Sequence, residues 1–591
     1  MNWIPIALLG VPLAGAAVLL VPPRAEARTG GRLLRLHGLA VSGVTFLLAV
    51  VLAAGFDHAD PARVQFATDL PWIPGLDLGF HLGVDGVSLP LVVLTALLTF
   101  LCFVYLCWGR ADGPGQLLRP RPGGNRPRAL VFTLLVLEVG MIGTFLALDL
   151  LLFFVFFEIV LIPMYFVIAV WGGGARRAAA TKFILYTLLG SVVLLLGLLL
   201  VWAQTGTLDM TALARAHGTG MSLPVQITAF LAIGAGLAVK TPMWPLHTWL
   251  PAAHTEAPTV GSVLLAGVLL KMGTYGFARI AIPVLPDGAA AVAPWLGALA
   301  VVGIVYGSLA CLAQHDLKRM IAYSSIGHMG FVLLGFATLT PVGINAALFG
   351  NIAHGLITGL LFFVAGAVKE RYGTADMRAL GGGMLARLPH LGSLLTFAAV
   401  ASLGLPGLAG FWGEMLALLG AFQPAPGLSR PLFLVFMAVG GLGTVLTAAY
   451  FLVMLSRVTH GRPTETVRAP ALAGGGAPVA TGTRSGPEVG VAPGPAAGAG
   501  PGDPAGTGAG DAGDPAGSET GDGTGPGTGG EPEAGDGPGD AVRGGGTLRD
   551  VMAHEVAAWT PLVGLILLFG LWPKALLLIT DPVVRTFVGA P

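Results

Sequence analysis

Apolar runs of about twenty residues recur along this 591-residue chain, and no other feature of the sequence constrains its fold as strongly. A helix of about 20 apolar residues crosses the roughly 30 Å of hydrocarbon in a bilayer. Charged residues make up only 11% of the chain, whereas soluble domains carry about a quarter. The sequence has none of the short alternating segments that are typical of outer-membrane barrels. It therefore predicts an all-α polytopic membrane protein.

We predict about fourteen transmembrane helices, of which helices 7 and 12 are interrupted. In chain order they cover residues 3–21, 33–55, 84–108, 129–148, 150–171, 179–203, 224–254, 259–280, 293–313, 320–338, 342–368, 391–421, 431–457 and 559–580. Arginine and lysine collect in the loops that follow odd-numbered helices, whereas the loop after helix 2 is acidic. Because basic loops remain in the cytoplasm, both termini are predicted to lie outside. No basic residue precedes the first apolar run, so we expect a retained helix rather than a signal peptide.

One segment does not fit the helix bundle. Residues 463–547 are almost wholly Gly, Ala, Pro, Thr and acids, with 11 Asp and Glu against 3 Arg, a net charge of −8. Such a composition buries too little apolar surface to fold, so we predict a disordered cytoplasmic insert before helix 14. A GxGxxG match at Gly508 lies in this insert without a preceding strand or a following helix, which makes a nucleotide site improbable there. The predicted organisation is a three-helix segment, two half-channel repeats, the insert and a last helix, over residues 1–128, 129–280, 293–457, 463–547 and 548–591 respectively.

The three cysteines give no sign of a cofactor. Cys102, Cys107 and Cys311 all fall in apolar helices and form no CxxC pair, which is the pattern of small core residues. Histidine and carboxylate residues show no convincing metal-ligand spacing either. We therefore expect no metal, no cofactor and no redox centre in this chain, and no nucleic-acid partner.

Five ionisable residues stand near the middle of predicted spans. They are Glu138, Glu158, Lys240, Lys271 and Glu414. A charge at the bilayer centre costs a few kcal/mol even on insertion scales, and such residues usually mark ion or proton paths. A static buried ion pair is the structural alternative for any one of them, but it explains all five together poorly.

The choice of cation supports a proton path. The chain holds 26 arginines and 6 lysines, yet both mid-span cations are lysines. Arginine stays protonated in proteins, whereas a buried lysine can lose its proton. A narrow cavity could also favour the slimmer lysine side chain, so this preference is suggestive.

Two helices carry breaks beside these charges. Helix 7 has Pro242 and Pro245 just after Lys240, and helix 12 has Pro406 and two glycines before Glu414. Breaks at membrane depth are tolerated only against protein or water. Paired broken helices in two halves of a chain are typical of inverted-repeat transporters, so Lys240 and Glu414 are predicted to be pseudo-equivalent. Ordinary proline kinks are the alternative.

Histidines lie along the remaining predicted path. Imidazole titrates near neutrality and can pass protons between its two nitrogens. His328 and His354 would lie between Lys271 and Glu414 in chain order, and His247 and His254 stand beside helix 7. A lone membrane histidine can equally be a hydrogen-bonded packing residue.

The segment Trp249–Arg279, WLPAAHTEAPTVGSVLLAGVLLKMGTYGFAR, resembles the signature of the antiporter-like subunits of respiratory complex I and of Mrp-type cation/proton antiporters. The resemblance extends over about residues 70–457. FFEIVLIPMYF around Glu158, YSSIGHMG, NIAHGLITGLLF and PGLAGFWGEM are similar to the M-type members. An N-type member would carry lysine at Glu414, and an L-type member would continue into a long lateral helix. The insert departs from the family pattern.

The resemblance implies a proton-translocating subunit in the membrane arm of a bacterial NADH–quinone oxidoreductase, in the inner (plasma) membrane. Its partners would be other membrane-arm subunits, including neighbouring antiporter-like ones, and redox chemistry in partner subunits would drive it. It further implies that Glu158 and Lys240 are an ion pair, Lys271 the central relay lysine and Glu414 the exit-side carrier. Glu138 matches an additional membrane carboxylate, and His328 and His354 match the histidines that link the half-channels.

The expected mechanism depends on the Glu158–Lys240 pair. Opening of the pair would release a proton from Lys240 toward Lys271, the histidines and Glu414; His247 belongs to the same predicted path. A coupling of about 3 kcal/mol would change proton affinity about a hundredfold. A sodium/proton antiporter subunit of the Mrp type is the alternative function, and a non-pumping membrane scaffold is a third.

Overall fold

A computed structural model of the chain describes residues 2–21, 32–73, 78–108, 126–461 and 549–589. The predicted insert at 463–547 lies outside the described residues. The first half of the fold comprises α1 Ile4–Val18, α2 Arg32–Ala54, β1 Gln65–Ile73, β2 Leu78–Val84, α3 Ser88–Trp108, α4 Pro127–Leu146, α5 Leu150–Ile159, α6 Leu161–Trp171, α7 Arg176–Thr205, α8 Met210–Ala216, α9 Leu223–Lys240, α10 Trp249–Glu256, α11 Thr259–Leu264, α12 Leu270–Gly276 and α13 Ile282–Val284. Two π-helical turns, Leu265–Leu269 and Phe277–Ala281, join α11, α12 and α13 into one continuous helix.

The second half is built in the same manner. It comprises α14 Pro286–Leu312, α15 Leu317–Ala337, α16 Pro341–Tyr372, α17 Met377–Leu380, α18 Met384–Arg387, α19 Pro389–Ser402, α20 Ala409–Phe422, α21 Arg430–Val458, α22 Ala553–Leu571 and α23 Lys574–Phe587.

The membrane fold class is confirmed. Within the described residues, 12 helices are long and apolar enough to cross a bilayer. The short apolar helix α1 and the broken pair α19–α20 add two more, which agrees with the predicted number of about fourteen. The most enclosed spans are Thr259–Val284, Leu317–Ala337 and Pro341–Tyr372. In an apolar stretch of 18 residues within each, 100%, 89% and 94% respectively of the residues are buried. These three helices carry Lys271, His328 and His354, so the centre of the fold is also where its ionisable residues lie.

Both predicted helix breaks are present. In helix 7, α9 ends at Lys240 and α10 begins at Trp249, with Pro242 and Pro245 between them. The break frees backbone carbonyls, and the indole Nε1 of Trp249 donates a hydrogen bond of 3.0 Å to one of them, Val239 O. A backbone break inside a membrane needs such internal partners because no water is available from lipid.

The break in helix 12 depends on glycine. Between α19 and α20, Gly404 and Gly407 adopt φ angles of +80° and +93°, a left-handed conformation that costs other residues free energy. Glu414 lies on the half-helix after this break, whereas Lys240 lies on the half-helix before the other one. The two residues are therefore not equivalent in position, because the prolines follow Lys240 but precede Glu414.

A repeated cap relates the two halves of the chain. Asp149 and Asp316 accept hydrogen bonds from backbone N–H groups at the starts of α5 and α15. Asp149 forms a short antiparallel bridge with Asp209, which caps α8. Asp316 forms the same bridge with Asp376, which caps α17 and also lies 60 residues later in the chain. Matching geometry at matching spacing indicates that the two halves of the chain are related, and the similar sequences GTLDMTAL and GTADMRAL surround the second aspartates.

The structure adds two elements that the hydropathy pattern does not reveal. β1 and β2 form an antiparallel hairpin before α3, so α3 begins at Ser88 rather than at residue 84. The predicted last helix, 559–580, is two helices, α22 and α23. They are separated because Pro573 lacks an N–H donor and its ring disfavours helical backbone at Trp572.

A polar clamp fastens the helix that follows the insert. The guanidinium of Arg371 on α16 donates hydrogen bonds of 2.8 and 2.6 Å to the two carboxylate oxygens of Glu555 on α22. The side chain of Glu555 is 1% exposed and that of Arg371 is 8% exposed. Arg371 also donates to the backbone oxygens of Arg549 and Asp550. α22 is therefore docked against α16 by a buried, bidentate ion pair.

Candidate functional site

Lys271 and His354 meet at the centre of the bundle. The Nζ of Lys271 lies 2.6 Å from Nδ1 of His354 and donates a second hydrogen bond of 2.6 Å to Ala266 O. Lys271 is completely buried and His354 is 5% exposed. An ammonium group can only donate hydrogen bonds, so a charged Lys271 requires that Nδ1 of His354 be unprotonated. The protonation states of the two side chains are thus linked by contact.

Glycine lets these two helices approach. A Cβ atom on Gly355 would lie 2.9 Å from the backbone oxygen of Gly267, and one on Gly267 would lie 2.4 Å from a methyl group of Leu98. Gly267 and Ala266 belong to the π-helical turn Leu265–Leu269, a distortion that is frequent at functional sites. The close approach places the carbonyl of Ala266, the amine of Lys271 and the imidazole of His354 in one cluster.

A second cluster joins His328 to Glu414. Nδ1 of His328 lies 3.1 Å from Oε1 of Glu414, and its Nε2 lies 3.0 Å from the hydroxyl of Ser402. Glu414 is 7% exposed. Ser402 is the last residue of α19 and Glu414 lies in the second turn of α20, so both flank the break in helix 12. The broken helix thus presents a carboxylate and a hydroxyl to the two nitrogens of one imidazole.

The two clusters are adjacent and share a cavity. The rings of His328 and His354 are 5.6 Å apart between centroids and inclined at 64°. Both rings line a cavity of about 30 Å³ together with Ser402 and Glu414. A cavity needs about 10–15 Å³ to hold a water molecule, so this one has room for water between the rings. Nε2 of His354 has no hydrogen-bond partner among the described residues and is available to such a water.

Lys240 and Glu158 are neighbours without direct contact. The Nζ of Lys240 donates a hydrogen bond of 3.2 Å to Phe157 O and lies 4.1 Å from the centroid of the Phe157 ring. The charge of Glu158 acts on Lys240, but the pair is not among the ion pairs within 4.0 Å of the described residues, and Oε1 of Glu158 has no hydrogen-bond partner there. Glu158 lies in the last turn of α5 and is half-buried as a residue, with its Oε1 atom buried. The structure thus has the pair in an open geometry.

Two further residues of the predicted path stand apart. Glu138 on α4 is completely buried, and neither of its carboxylate oxygens has a hydrogen-bond partner among the described residues. The ring of His247 packs against that of Tyr306 at 4.8 Å between centroids, and its Nδ1 is also without a partner in the described part of the chain. Neither is joined to the Lys271–Glu414 line by a hydrogen bond.

A third lysine was missed by sequence reasoning. The predicted spans place Lys318 in the loop before residues 320–338. In the structure it lies in the first turn of α15, is 3% exposed, and its Nζ donates a hydrogen bond of 2.9 Å to Ala257 O. The charges of Lys318 and Lys271 both act on His254, which is completely buried and stacked on Phe362 at 4.6 Å. The scarcity of lysine in this chain was the signal that could have identified Lys318.

Comparison with known families and proteins places this site in a known context. Residues 147–447 match the family model described as "NADH:quinone oxidoreductase/Mrp antiporter, TM". The chain is 42% identical over 461 residues to NADH-quinone oxidoreductase subunit M of Rhodobacter capsulatus. The aligned region covers 76% of this chain and 85% of that protein. It is 41% identical over 455 residues to NADH-ubiquinone oxidoreductase chain 4 of Arabidopsis thaliana, covering 77% and 86%.

Solved structures share the fold. A chain of respiratory complex I from Thermus thermophilus with bound NADH superimposes with a TM-score of 0.73 at 27% identity, covering 99% of both chains. A chain of the Mrp complex from Dietzia sp. DQ12-45-1b gives a TM-score of 0.73 at 20% identity, covering 100% of this chain and 99% of that one. The second likeness shows the fold alone.

Proposed function

The chain belongs to the NADH:quinone oxidoreductase/Mrp antiporter family as an M-type member, and we propose that it carries protons across the membrane within the membrane arm of an NADH–quinone oxidoreductase. Its partners are the other membrane-arm subunits, including neighbouring antiporter-like ones. The oxidation of NADH and the reduction of quinone take place in partner subunits, so this chain is the part of the enzyme that uses their free energy.

One observation carries the proposal. Lys271, His354, His328 and Glu414 form a line of titratable side chains through the centre of the bundle, with contacts of 2.6 and 3.1 Å at its two ends. The gap in its middle is bridged by a cavity that has room for water. Ionisable groups inside a membrane bundle are costly and usually mark ion or proton pathways. This line provides the alternating donors and acceptors that a proton needs.

The contacts set an order of events. A proton on Lys271 is handed to Nδ1 of His354, and the opposite nitrogen of that ring releases a proton toward His328 through water in the cavity. His328 then transfers the proton on Nδ1 to Oε1 of Glu414. Its Nε2 takes a proton from the hydroxyl of Ser402, which takes one in turn from water in the cavity. Each imidazole takes up a proton on one nitrogen and releases one from the other. This leaves the ring in the opposite tautomer, so a ring flip or a proton exchange must restore the starting tautomer before the next proton passes.

Glu158 and Lys240 control this line electrostatically. A carboxylate that approaches Lys240 stabilises the protonated form of this lysine, because the Coulomb interaction is strong where water is excluded. In the open geometry, the ammonium group of Lys240 donates a hydrogen bond to the carbonyl oxygen of Phe157 and lies over the ring of the same residue. Closing and opening of the pair is the step through which a neighbouring subunit drives proton transfer. Glu138 transmits the same kind of charge change from a buried position on α4.

The topology of the proposal follows the distribution of basic residues. Loops after odd-numbered helices face the cytoplasm, so both termini and the β1–β2 hairpin face the outside. A chain with twelve candidate crossing helices among its described residues is a multi-pass membrane protein, and we place it in the bacterial inner membrane.

The experiment that tests the proposal is co-purification of the tagged chain from its native membranes in mild detergent. NADH–quinone reductase activity should elute with the chain, and after reconstitution into vesicles NADH should acidify the lumen. A clean complex without that activity that exchanges sodium for protons would instead assign the chain to an Mrp-type antiporter. A complex that lacks both activities would favour a non-pumping scaffold.

A further inference from the structure

A basic cavity of about 380 Å³ is lined by residues that are not part of the proton line. It forms where the residues before β1, the short helix α8, the end of the continuous helix α11–α13 and the C-terminal helix α23 come together. Its polar lining includes Arg63, Asp85, Arg215, His217 and Arg279, and Phe587 of α23 closes one side. Cavities of about 300–1,000 Å³ are typical of small-molecule sites.

The charges of this cavity are unbalanced. Three arginines face it against the single carboxylate of Asp85, so its lining carries a net charge of +2. Arg279 is already paired with Asp85 in a buried contact, and Asp85 also accepts hydrogen bonds from Val87 N and Ser88 N. Asp209, one residue before the lining residue Met210, is hydrogen-bonded to the hydroxyl of Thr211 and lies 3.6 Å from His81.

The side chains of the two remaining arginines have no partner among the described residues. Arg63 and Arg215 are exposed, and neither guanidinium forms a hydrogen bond or an ion pair with another described residue. They approach the cavity from different parts of the chain, one from the segment before β1 and the other from α8. Guanidinium groups bind phosphate oxygens through paired hydrogen bonds. Two exposed arginines and a third that is paired with Asp85 line the same cavity, a set of groups suited to a phosphate-bearing anion.

An apolar cavity adjoins the basic one. It has a volume of about 160 Å³, shares His217 and Phe587 with the first, and is otherwise lined by Ile282, Pro286, Ala289, Leu339 and Val588. An inorganic anion would leave this second space unused. A molecule with a phosphate at one end and a hydrocarbon chain at the other fits both cavities at once.

We propose that the two cavities together bind an anionic phospholipid, with its phosphate between Arg63 and Arg215 and part of an acyl chain in the apolar cavity. The lipid would lie against Phe587 and Val588 at the end of α23, and would hold that helix to α8 and to the turn that carries Arg279. The lining of this site includes no residue of the proton line, so its proposed role is to fix the C-terminal helix rather than to transfer protons.

A photo-reactive phosphatidylglycerol tests the site in the chain as purified with its accompanying subunits. Labelling should map to peptides that contain residues 210–217 or 583–588, and phosphatidylglycerol should compete with it. The double variant Arg63→Gln/Arg215→Gln should raise the lipid concentration for half-maximal labelling about thirtyfold, since each arginine near an anionic lipid contributes about a factor of five. The matched control Arg176→Gln/Arg177→Gln removes two exposed arginines from the start of α7 and should leave labelling unchanged.

Several outcomes would overturn the proposal. Equal competition by phosphatidylcholine of the same chain length would show that the site does not select an anionic lipid over a zwitterionic one. Equal competition by glycerol 3-phosphate or inorganic phosphate would show an anion site without a lipid. Labelling of the double variant at the original concentration, or no labelling of these peptides, would remove the site. If the double variant does not assemble, the competition series on the unmodified protein decides between the same alternatives.

Discussion

The amine of Lys271 on α12 lies 2.6 Å from Nδ1 of His354 on α16. The two residues are 83 positions apart in the chain and are enclosed by the most buried helices of the fold. A contact this short between two basic groups is favourable only when they share protons unequally, with one donating and the other accepting. The pair therefore couples the charge of one helix to that of the other, and it is the natural target for a first set of variants.

Lys271 and His354 are expected to act as one unit in proton transport. Lys271→Met and His354→Ala should each slow NADH-driven acidification of vesicles about a hundredfold. The double variant should be no slower than either single variant, because a line broken once is already interrupted. Proton uptake measured with a pH-sensitive dye, normalised to assembled complex, checks this. Multiplicative losses in the double variant would mean that the two residues serve separate steps.

Lys240→Met should abolish pumping while the complex still assembles. The substitution removes the charge that Glu158 acts upon but keeps an unbranched side chain of similar length against Phe157. Lys574→Met is the matched control, because Lys574 is an exposed lysine at the start of α23. Dye-detected acidification and reductase activity should be measured on the same membranes. Normal pumping by Lys240→Met would remove this residue from the mechanism.

Glu158 is expected to require its negative charge. Glu158→Gln has nearly the same shape but cannot change the charge near Lys240, so pumping should fall about as far as in Lys240→Met. Glu158→Asp keeps the charge on a shorter side chain and should retain a measurable fraction of the rate. The comparison uses initial acidification rates at a fixed rate of NADH oxidation. Equal rates in the Gln and Asp variants would indicate that Glu158 has a packing role only.

Arg371→Ala should loosen the C-terminal helices. It leaves the buried carboxylate of Glu555 without its partner, which typically costs about 3–5 kcal/mol. Cleavage by added protease between α21 and α22, followed by loss of the α22–α23 fragment from the complex, should become much faster than in the unmodified protein. Arg549→Ala is the control, because the clamp uses only the backbone oxygen of Arg549.

A companion variant tests the same clamp. Arg371→Leu/Glu555→Leu removes both charges together and should recover part of the stability lost in Arg371→Ala, since the buried charge is then absent as well. Stability no better than that of the single variant would indicate that Arg371 acts through its other contacts, to the backbone of Arg549 and Asp550.

Deletion of residues 470–540 should leave pumping unchanged. The deleted residues are Gly-, Ala- and Pro-rich and contribute little apolar surface, while α22 has its own attachment through Arg371 and Glu555. Acidification rate per assembled complex is the measurement. A chain of equal length with the acids of the insert replaced by Gln and Asn is the control for charge. Loss of pumping on deletion would show that the insert has a membrane function.

The sequence by itself determined the membrane class, the approximate number of helices and the positions of both breaks. These features depend on local properties, since hydropathy, proline and glycine act within one or two helical turns. Glu138, Glu158, Lys240, Lys271 and Glu414 could be selected for the same reason, because a charge inside an apolar run is visible without knowledge of its neighbours. The order in which the candidate residues meet was not available in this way.

Only the tertiary structure decided which of these residues touch. Lys271 contacts His354 and Glu414 contacts His328 because glycines such as Gly267 and Gly355 let particular helices approach, and such pairings are properties of helix packing. The open Glu158–Lys240 geometry, the buried position of Lys318 and the division of the last helix into α22 and α23 depend on contacts between distant segments. The sequence pattern shows where a charge must be buried at a free-energy cost. Which residue offsets that cost depends on how the helices pack.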